Sequence, residues 1–206
     1  MSRLVNELIR DGYLRTDVII DAFSEMHRVE FIPEDLHQHA ESDIPLPIGF
    51  GQTISQPATV ALMFELLNPK VGQNILDVGS GSGWTAALLS YIVKEKGKVT
   101  SLEVIHELCD FGKKNVGKFS FIKNSIAEFH CQTSGIGFEK NAPYDRILVS
   151  ASAQSVPPEL KDQLKIGGKM VIPVRNDIWY IEKRAKDDFY IEKFPGFAFV
   201  PLIRED

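Results

Sequence analysis

From Asn74 onward, short apolar runs alternate with segments of helical spacing, and that alternation restricts the fold more than any other feature of the chain. Asn74–Val78 reads as a strand, Trp84–Val93 as a helix, Lys98–Val104 as a strand, His106–Val116 as a helix and Ile126–Cys131 as a strand. "YDRILVSA" (144–151) predicts a buried strand, Pro157–Leu164 a short helix, and "GKMVIPV" (168–174) another strand. "IWYIEKRAKDDFYIEKF" (178–194) predicts a hairpin turning at Ala185–Asp188. A parallel strand pair needs a crossover, and the crossover helices pack on both faces of the sheet. The terminal hairpin adds an antiparallel edge. The expected fold class is α/β: a doubly wound, mostly parallel sheet with an antiparallel edge hairpin and an N-terminal helical extension.

In that extension, Leu4, Val5, Leu8 and Ile9 have helical spacing, and Thr16 is placed to cap a second helix over "DVIIDAFSEM" (17–26). The prolines and glycines of "IPLPIGFGQTISQP" (44–57) argue against a regular element, so a shaped loop is expected before the helical "ATVALMFELL" (58–67). With 206 residues, no internal repeat and no linker, one domain is expected: N-terminal helices and loop over 1–68, α/β core over 73–206. A formal charge of −5 gives no general attraction to nucleic acid or acidic membranes. No apolar run approaches the ~20 residues that span a bilayer, and charges interrupt the opening "MSRLVNELIRDG", unlike a secretory leader. Cys109 and Cys131 are too few for a disulfide framework and read as buried thiols, which fits a reducing, cytoplasmic location.

"NILDVGSGSGW" (74–84) marks the turn from the first parallel strand into a helix. In doubly wound sheets ligands lie beyond the carboxyl ends of the strands, where glycines admit them to the backbone and a helix start offers N–H donors. Alone, the loop is equally compatible with a tight structural turn. Gly79, Gly81 and Gly83 spell GxGxG rather than the nicotinamide GxGxxG, with Asp77 before them. Glu103 ends the next strand, placed to accept hydrogen bonds from both hydroxyls of a ribose. The combination is similar to that of class I S-adenosylmethionine-dependent methyltransferases. It marks Asp77, Gly79, Ser80, Gly81, Gly83, Glu103 and Val104 as cofactor-binding candidates.

"LPIGFGQTISQP" (46–57) resembles the loop particular to the protein-L-isoaspartate O-methyltransferase family. "RVEFIP" (28–33), "APYDRILVSA" (142–151), "PPELKDQLKIGGKMVIPV" (157–174) and "FVPLI" (199–203) resemble the same family. The resemblance implies a seven-stranded Rossmann-like methyltransferase sheet, S-adenosyl-L-methionine as donor and S-adenosyl-L-homocysteine as product. It implies methylation of the free α-carboxylate of L-isoaspartyl residues in damaged proteins and peptides, a repair reaction in which the ester recyclises and can reopen as aspartate. A carboxylate of pKa near ~4 is already ionised at neutral pH, so such a nucleophile needs no general base. Ser55 matches the family's active-site serine. By the same resemblance Gln52, Thr53 and Ile54 border the cofactor, while Ile54, Val200, Pro201 and Leu202 border the peptide. Gln132-Thr133-Ser134 stands where the family carries Gly-Asp-Gly, leaving Thr133 and Ser134 to meet the adenosyl end. The missing carboxylate is expected to weaken donor binding by ~1.5–3 kcal/mol. Arg175 stands where the family tends to have glycine. A monomer acting on isoaspartyl proteins and peptides is expected, without nucleic acid or membrane. Two alternatives stay open: a divergent member with a different carboxylate or small-molecule acceptor, and a degenerate member without turnover.

His37 and His39 lie two apart and cannot share a helix face, so zinc is not expected there. His106 and His130 read as structural or surface residues, and Trp84 is expected to wall the cofactor pocket. Trp179, Tyr180, Phe189 and Tyr190 read as core, and "EKRAKDD" (182–188) as a solvated turn.

Overall fold

The protein is described by a computed structural model covering residues 1–132 and 136–203. The N-terminal part contains α1 (Arg3–Arg10), α2 (Asp17–Glu25), a two-stranded hairpin of β1 (Leu46–Gly49) and β2 (Gln52–Ile54), and α3 (Pro57–Leu67). There follow β3 (Asn74–Val78), α4 (Trp84–Val93), β4 (Lys98–Glu103), α5 (His106–Gly117) and β5 (Ala127–Cys131). β6 (Tyr144–Val149), α6 (Pro158–Gln163), β7 (Leu164–Val174), β8 (Asp177–Ala185) and β9 (Asp188–Pro195) complete the chain. The central sheet has seven strands in the order β5-β4-β3-β6-β7-β8-β9. Pairings from β5 to β7 are parallel, and β7–β8 and β8–β9 are antiparallel, as expected.

β3 is buried from Ile75 to Val78, the continuous burial that helices on both faces impose. One core face joins α1–α5 to the sheet, and the other joins β6–β8 to α6. Arg146 on β6 fastens α3 to the sheet, its Nε donating to Leu67 O at 2.7 Å.

Several expectations are corrected. Residues 44–57 do contain a regular element, the β1–β2 hairpin; Pro47 is tolerated because each strand of a two-stranded hairpin has an unpaired side. β7 starts at Leu164 rather than 168, and its register with β6 slips across the Gly167–Gly168 pair. Thr16 occupies the N-cap of α2, but its hydroxyl donates to Glu65 Oε2 at 2.7 Å and so ties α2 to α3. Tyr190 is 39% exposed on the edge strand, not core, whereas Tyr180 is buried and Trp179 and Phe189 are half-buried. Within 182–188, Lys183 is buried and donates to Lys161 O at 2.7 Å.

The largest correction concerns the cysteines. Cys109 and Cys131 form a disulfide, so neither is a free thiol. β5 runs parallel to β4, which returns its carboxyl end to the start of α5. That convergence is a product of topology and leaves no trace in spacing. No helix among the described residues is long and apolar enough to cross a membrane.

Candidate active site

Strand order reverses between β3 and β6, and beyond their carboxyl ends lies a cleft. Gly79 and Gly81 lie in its floor and Gly83 closes the same turn behind it, with φ of 77°, 50° and 86°, a region in which a Cβ is strained. Gly83 also faces α5 at close range: a Cβ there would lie 2.8 Å from Gly112 O. A Cβ on Gly112 would in turn lie 2.7 Å from Gly81 O. Loop and helix therefore touch backbone to backbone, and Asn115 Nδ2 donates to Ser82 O at 3.0 Å alongside. Sequence reasoning misses Gly112 and Asn115; their one signal is the i, i+3 spacing that puts both on one face of α5.

Glu103, nearly buried at the end of β4, fastens the loop to the sheet. Its Oε2 accepts from Gly81 N at 2.8 Å, and its Oε1 from Val104 N at 2.8 Å and Ile105 N at 3.0 Å. A carboxylate offers about four acceptor positions, so capacity for a ribose hydroxyl remains. Asp77 is fully buried; Thr85 Oγ1 donates to its Oδ2 at 2.9 Å, and its Oδ1 has no partner among the described residues. Burial pushes the Asp77 carboxyl up to about 7, the Thr85 bond opposes this, and the charge of Glu103 adds to it. The Ser80 hydroxyl, which lines the cleft, is buried without a described partner. Orphaned buried oxygens are rare, and the Ser80 hydroxyl on the cleft fits a ligand with polar groups of its own. The donor set thus fits S-adenosyl-L-methionine: Glu103 for the ribose, and loop N–H groups with the Ser80 hydroxyl for the charged amino-acid end.

The opposite wall is made by Gln52, Thr53, Ile54 and Ser55 from the hairpin and by Val200, Pro201 and Leu202 from the C-terminal segment. That segment is tied to the loop after β6, Ser152 N donating to Val200 O at 2.8 Å and Leu202 N to Ser152 O at 2.9 Å. Ser55 follows β2 directly, and its hydroxyl makes no hydrogen bond to a described residue. Its carbonyl accepts from Arg28 Nη2 at 3.2 Å. Arg28 is buried, and also donates to Ser42 O at 3.1 Å and Ile44 O at 2.8 Å, with Cζ 5.7 Å from the Trp84 ring centroid. Burial lowers its pKa to about 10, against the pull of Asp43, so it remains charged at neutral pH. Asp43 accepts from Ala58 N at 2.8 Å and Gln56 Nε2 at 3.0 Å, capping the start of α3. The segment carrying Ser55 is thereby clamped between a buried cation and an anion.

Asp77 and Gly83 lie behind the cleft wall; every other described candidate lines it. Thr133 and Ser134 lie outside the described residues. Ser150 and Ala151, Leu108, Gln132 and Ile136 also line it without having been foreseen. The first two were findable, since they directly follow β6 on the ligand side of the sheet. Trp84 is both wall and core: it borders the cleft, donates to Met26 O at 3.0 Å and meets Phe23 edge-on. His106, Asp110 and Cys131 bring possible ligand atoms within 4.8 Å of one another, but the Cys131 sulfur is bonded to Cys109 and is no thiolate.

The family model for protein-L-isoaspartate(D-aspartate) O-methyltransferase matches residues 1–206. The chain is 44% identical over 211 residues to a Methanopyrus kandleri protein-L-isoaspartate O-methyltransferase, covering 99% of this chain and 91% of the relative. It is 41% identical over 208 residues to the Pyrococcus abyssi protein of that name, covering 98% and 94%. Among solved structures, a Plasmodium falciparum chain described as a protein-L-isoaspartate O-methyltransferase, in complex with S-adenosyl-L-homocysteine, matches with a TM-score of 0.88 and 26% identity. That match covers 98% of this chain and 97% of the other. By sequence along its whole length and by fold, this chain belongs to the protein-L-isoaspartate(D-aspartate) O-methyltransferase family.

Proposed function

We propose that the chain methylates the free α-carboxylate of L-isoaspartyl residues in damaged proteins and peptides, with Ser55 orienting that carboxylate. The observation that carries this reading is the meeting of an unengaged Ser55 hydroxyl with the Gly79–Glu103 donor side in one cleft. When bound, S-adenosyl-L-methionine supplies a methyl group already activated by its sulfonium. The acceptor is ionised at neutral pH, so the chain's own task is to hold, align and desolvate. Glu103 and the loop N–H groups hold the donor end. The Ser55 hydroxyl donates to one carboxylate oxygen, a bond to a charged acceptor contributing ~1.5–3 kcal/mol, and leaves the other oxygen free to attack. Ile54, buried beside it, keeps water from the reacting pair.

Residues 1–68 and 73–206 act together as one methyltransferase domain, since both contribute residues to the walls of one cleft. We infer a cytoplasmic monomer that does not bind nucleic acid, in keeping with a net charge of −5. The Cys109–Cys131 disulfide then requires a compartment that leaves it oxidised, as inside hyperthermophiles. Incubation with labelled donor and matched isoaspartyl and aspartyl peptides should give a methyl ester on the isoaspartyl peptide alone. Ser55→Ala should reduce that transfer about tenfold to a hundredfold and leave donor binding intact. Donor binding with transfer to neither peptide would overturn the acceptor assignment.

A further inference from the structure

The Phe199–Ile203 segment has a second side. Behind it lies a shallow, open groove lined by Ser152, Gln154, Arg175, Asn176, Phe199 and Pro201. Pro201 borders both this groove and the cleft, so the two are neighbours across one extended strip of chain. The groove lies at the carboxyl ends of β6 and β7, the side of the sheet on which ligands sit. Its floor is held by the protein's own bonds. Ser152 Oγ donates to Arg175 O at 2.8 Å and Arg175 N to Ala153 O at 2.9 Å. Gly196 N and Phe197 N both donate to Asn176 O, at 3.0 and 2.9 Å.

Arg175 is the one charged residue among the described residues that line this groove. It is exposed, and its guanidinium has no ion pair or ring partner among the described residues. Its backbone is unusual. Arg175 and Asn176 form the two-residue turn between β7 and β8, with Val174 paired to Asp177. Arg175 has φ of 57°, while Asn176 is not left-handed. A two-residue hairpin turn that is left-handed at its first position alone favours glycine there. A long cation held at such a position is a local conflict, and conflicts of this kind gather where a side chain has a task.

We propose that Arg175 and this groove form a subsite for a negatively charged residue of the substrate, adjacent in sequence to the isoaspartyl residue; the proposal rests on the isoaspartyl reading above. A polypeptide whose isoaspartyl carboxylate reaches Ser55 leaves the cleft across Pro201 and continues over the groove. There Ser152, Gln154 and Asn176 offer polar groups to its main chain, and Arg175 pairs with a side-chain or terminal carboxylate. The pair is exposed, so its effect is a two- to fivefold change in KM, weakened by salt.

The test is a set of isoaspartyl peptides carrying Glu or Gln at each position from three before to three after the isoaspartyl residue. Each is assayed at low and high salt with the unaltered protein, Arg175→Gln and Arg175→Gly. The expected result is a KM roughly two- to fivefold lower for Glu than for Gln at neighbouring positions on one side, lost in both variants and at high salt. Arg175→Gly should melt no lower than the parent, because glycine relieves the positive φ, so a lost preference cannot come from misfolding. Equal KM for Glu and Gln at every position, or a preference that persists in Arg175→Gln, overturns the subsite. Methylation of none of the peptides would instead overturn the isoaspartyl reading beneath it.

Discussion

Glu103 and Arg28 both steady the cleft with a nearly buried charge, yet they belong to differently built regions. On the donor side, Asp77, Gly81 and Glu103 stand at the ends of central strands covered by helices on both faces. Their positions follow from the sheet itself. On the acceptor side, Ser55 follows a two-stranded hairpin that pairs with no strand of that sheet. Its placement rests on the carbonyls gathered by Arg28 and on the helix start capped by Asp43. The donor side is therefore supported by the central sheet, and the acceptor side by the buried side chains of Leu46, Ile48 and Ile54 together with a few polar contacts. Damage to one should be separable from damage to the other.

The strongest test is Arg28→Met. It leaves the carbonyls of Ser42, Ile44 and Ser55 short of a donor and should lower unfolding stability by about 3 kcal/mol or more, read by denaturant titration. Transfer to isoaspartyl peptide should fall by roughly tenfold or more, with donor affinity changed by less than about twofold. An equal fall in donor affinity would show that the regions are not separable. Second is reduction of the disulfide, or Cys109→Ser. The bond closes a loop of sequence separation 22. Its loss should reduce stability by about 3 kcal/mol, with a matching drop in melting temperature. Since α5 and β5 flank the donor side, donor affinity should suffer before peptide KM does.

Glu103→Ala should do less to stability and more to specificity of damage. The Gly81, Val104 and Ile105 N–H groups lose their acceptor, and donor affinity measured by calorimetry should fall about tenfold to a hundredfold. At saturating donor, peptide KM should stay within about twofold; a larger shift would blur the distinction. The smallest effect per step is one of pH. The folded pKa of Asp77, about 7, lies above the ordinary 3.8, so the folded state binds its proton more tightly. That contribution is complete below about pH 4 and is lost as pH rises through 7, at about 1.4 kcal/mol per pH unit. Stability curves of the donor-free protein should show this slope, and Asp77→Asn should flatten it.

The glycine-turn side of the cleft was legible in the sequence because its residues are local: strand, glycine turn, helix and the next strand's terminal acid are read in order. Asp77, Gly81 and Glu103 fall where that pattern puts them. The acceptor side was legible only through the resemblance of residues 46–57, since prolines and glycines conceal a hairpin as well as a loop. What the sequence hid is what pairs across distance. Nothing near Arg28 announces that its partners are the carbonyls of Ser42, Ile44 and Ser55. Cys109 and Cys131 meet because β5 lies parallel to β4, a relation that periodicity does not encode.

The contact between Gly83 and Gly112 bears on how such a turn can be moved or remade. Grafting "NILDVGSGSGW" into another parallel sheet would carry the turn and leave its mate behind. The recipient would need a helix presenting bare backbone at the same height, one crossover later. A methyl group added on either side would push α5 outward, and with it Leu108 and Ile105 on the cleft wall. The two glycines form a single packing unit, and redesign of this loop begins on the neighbouring helix.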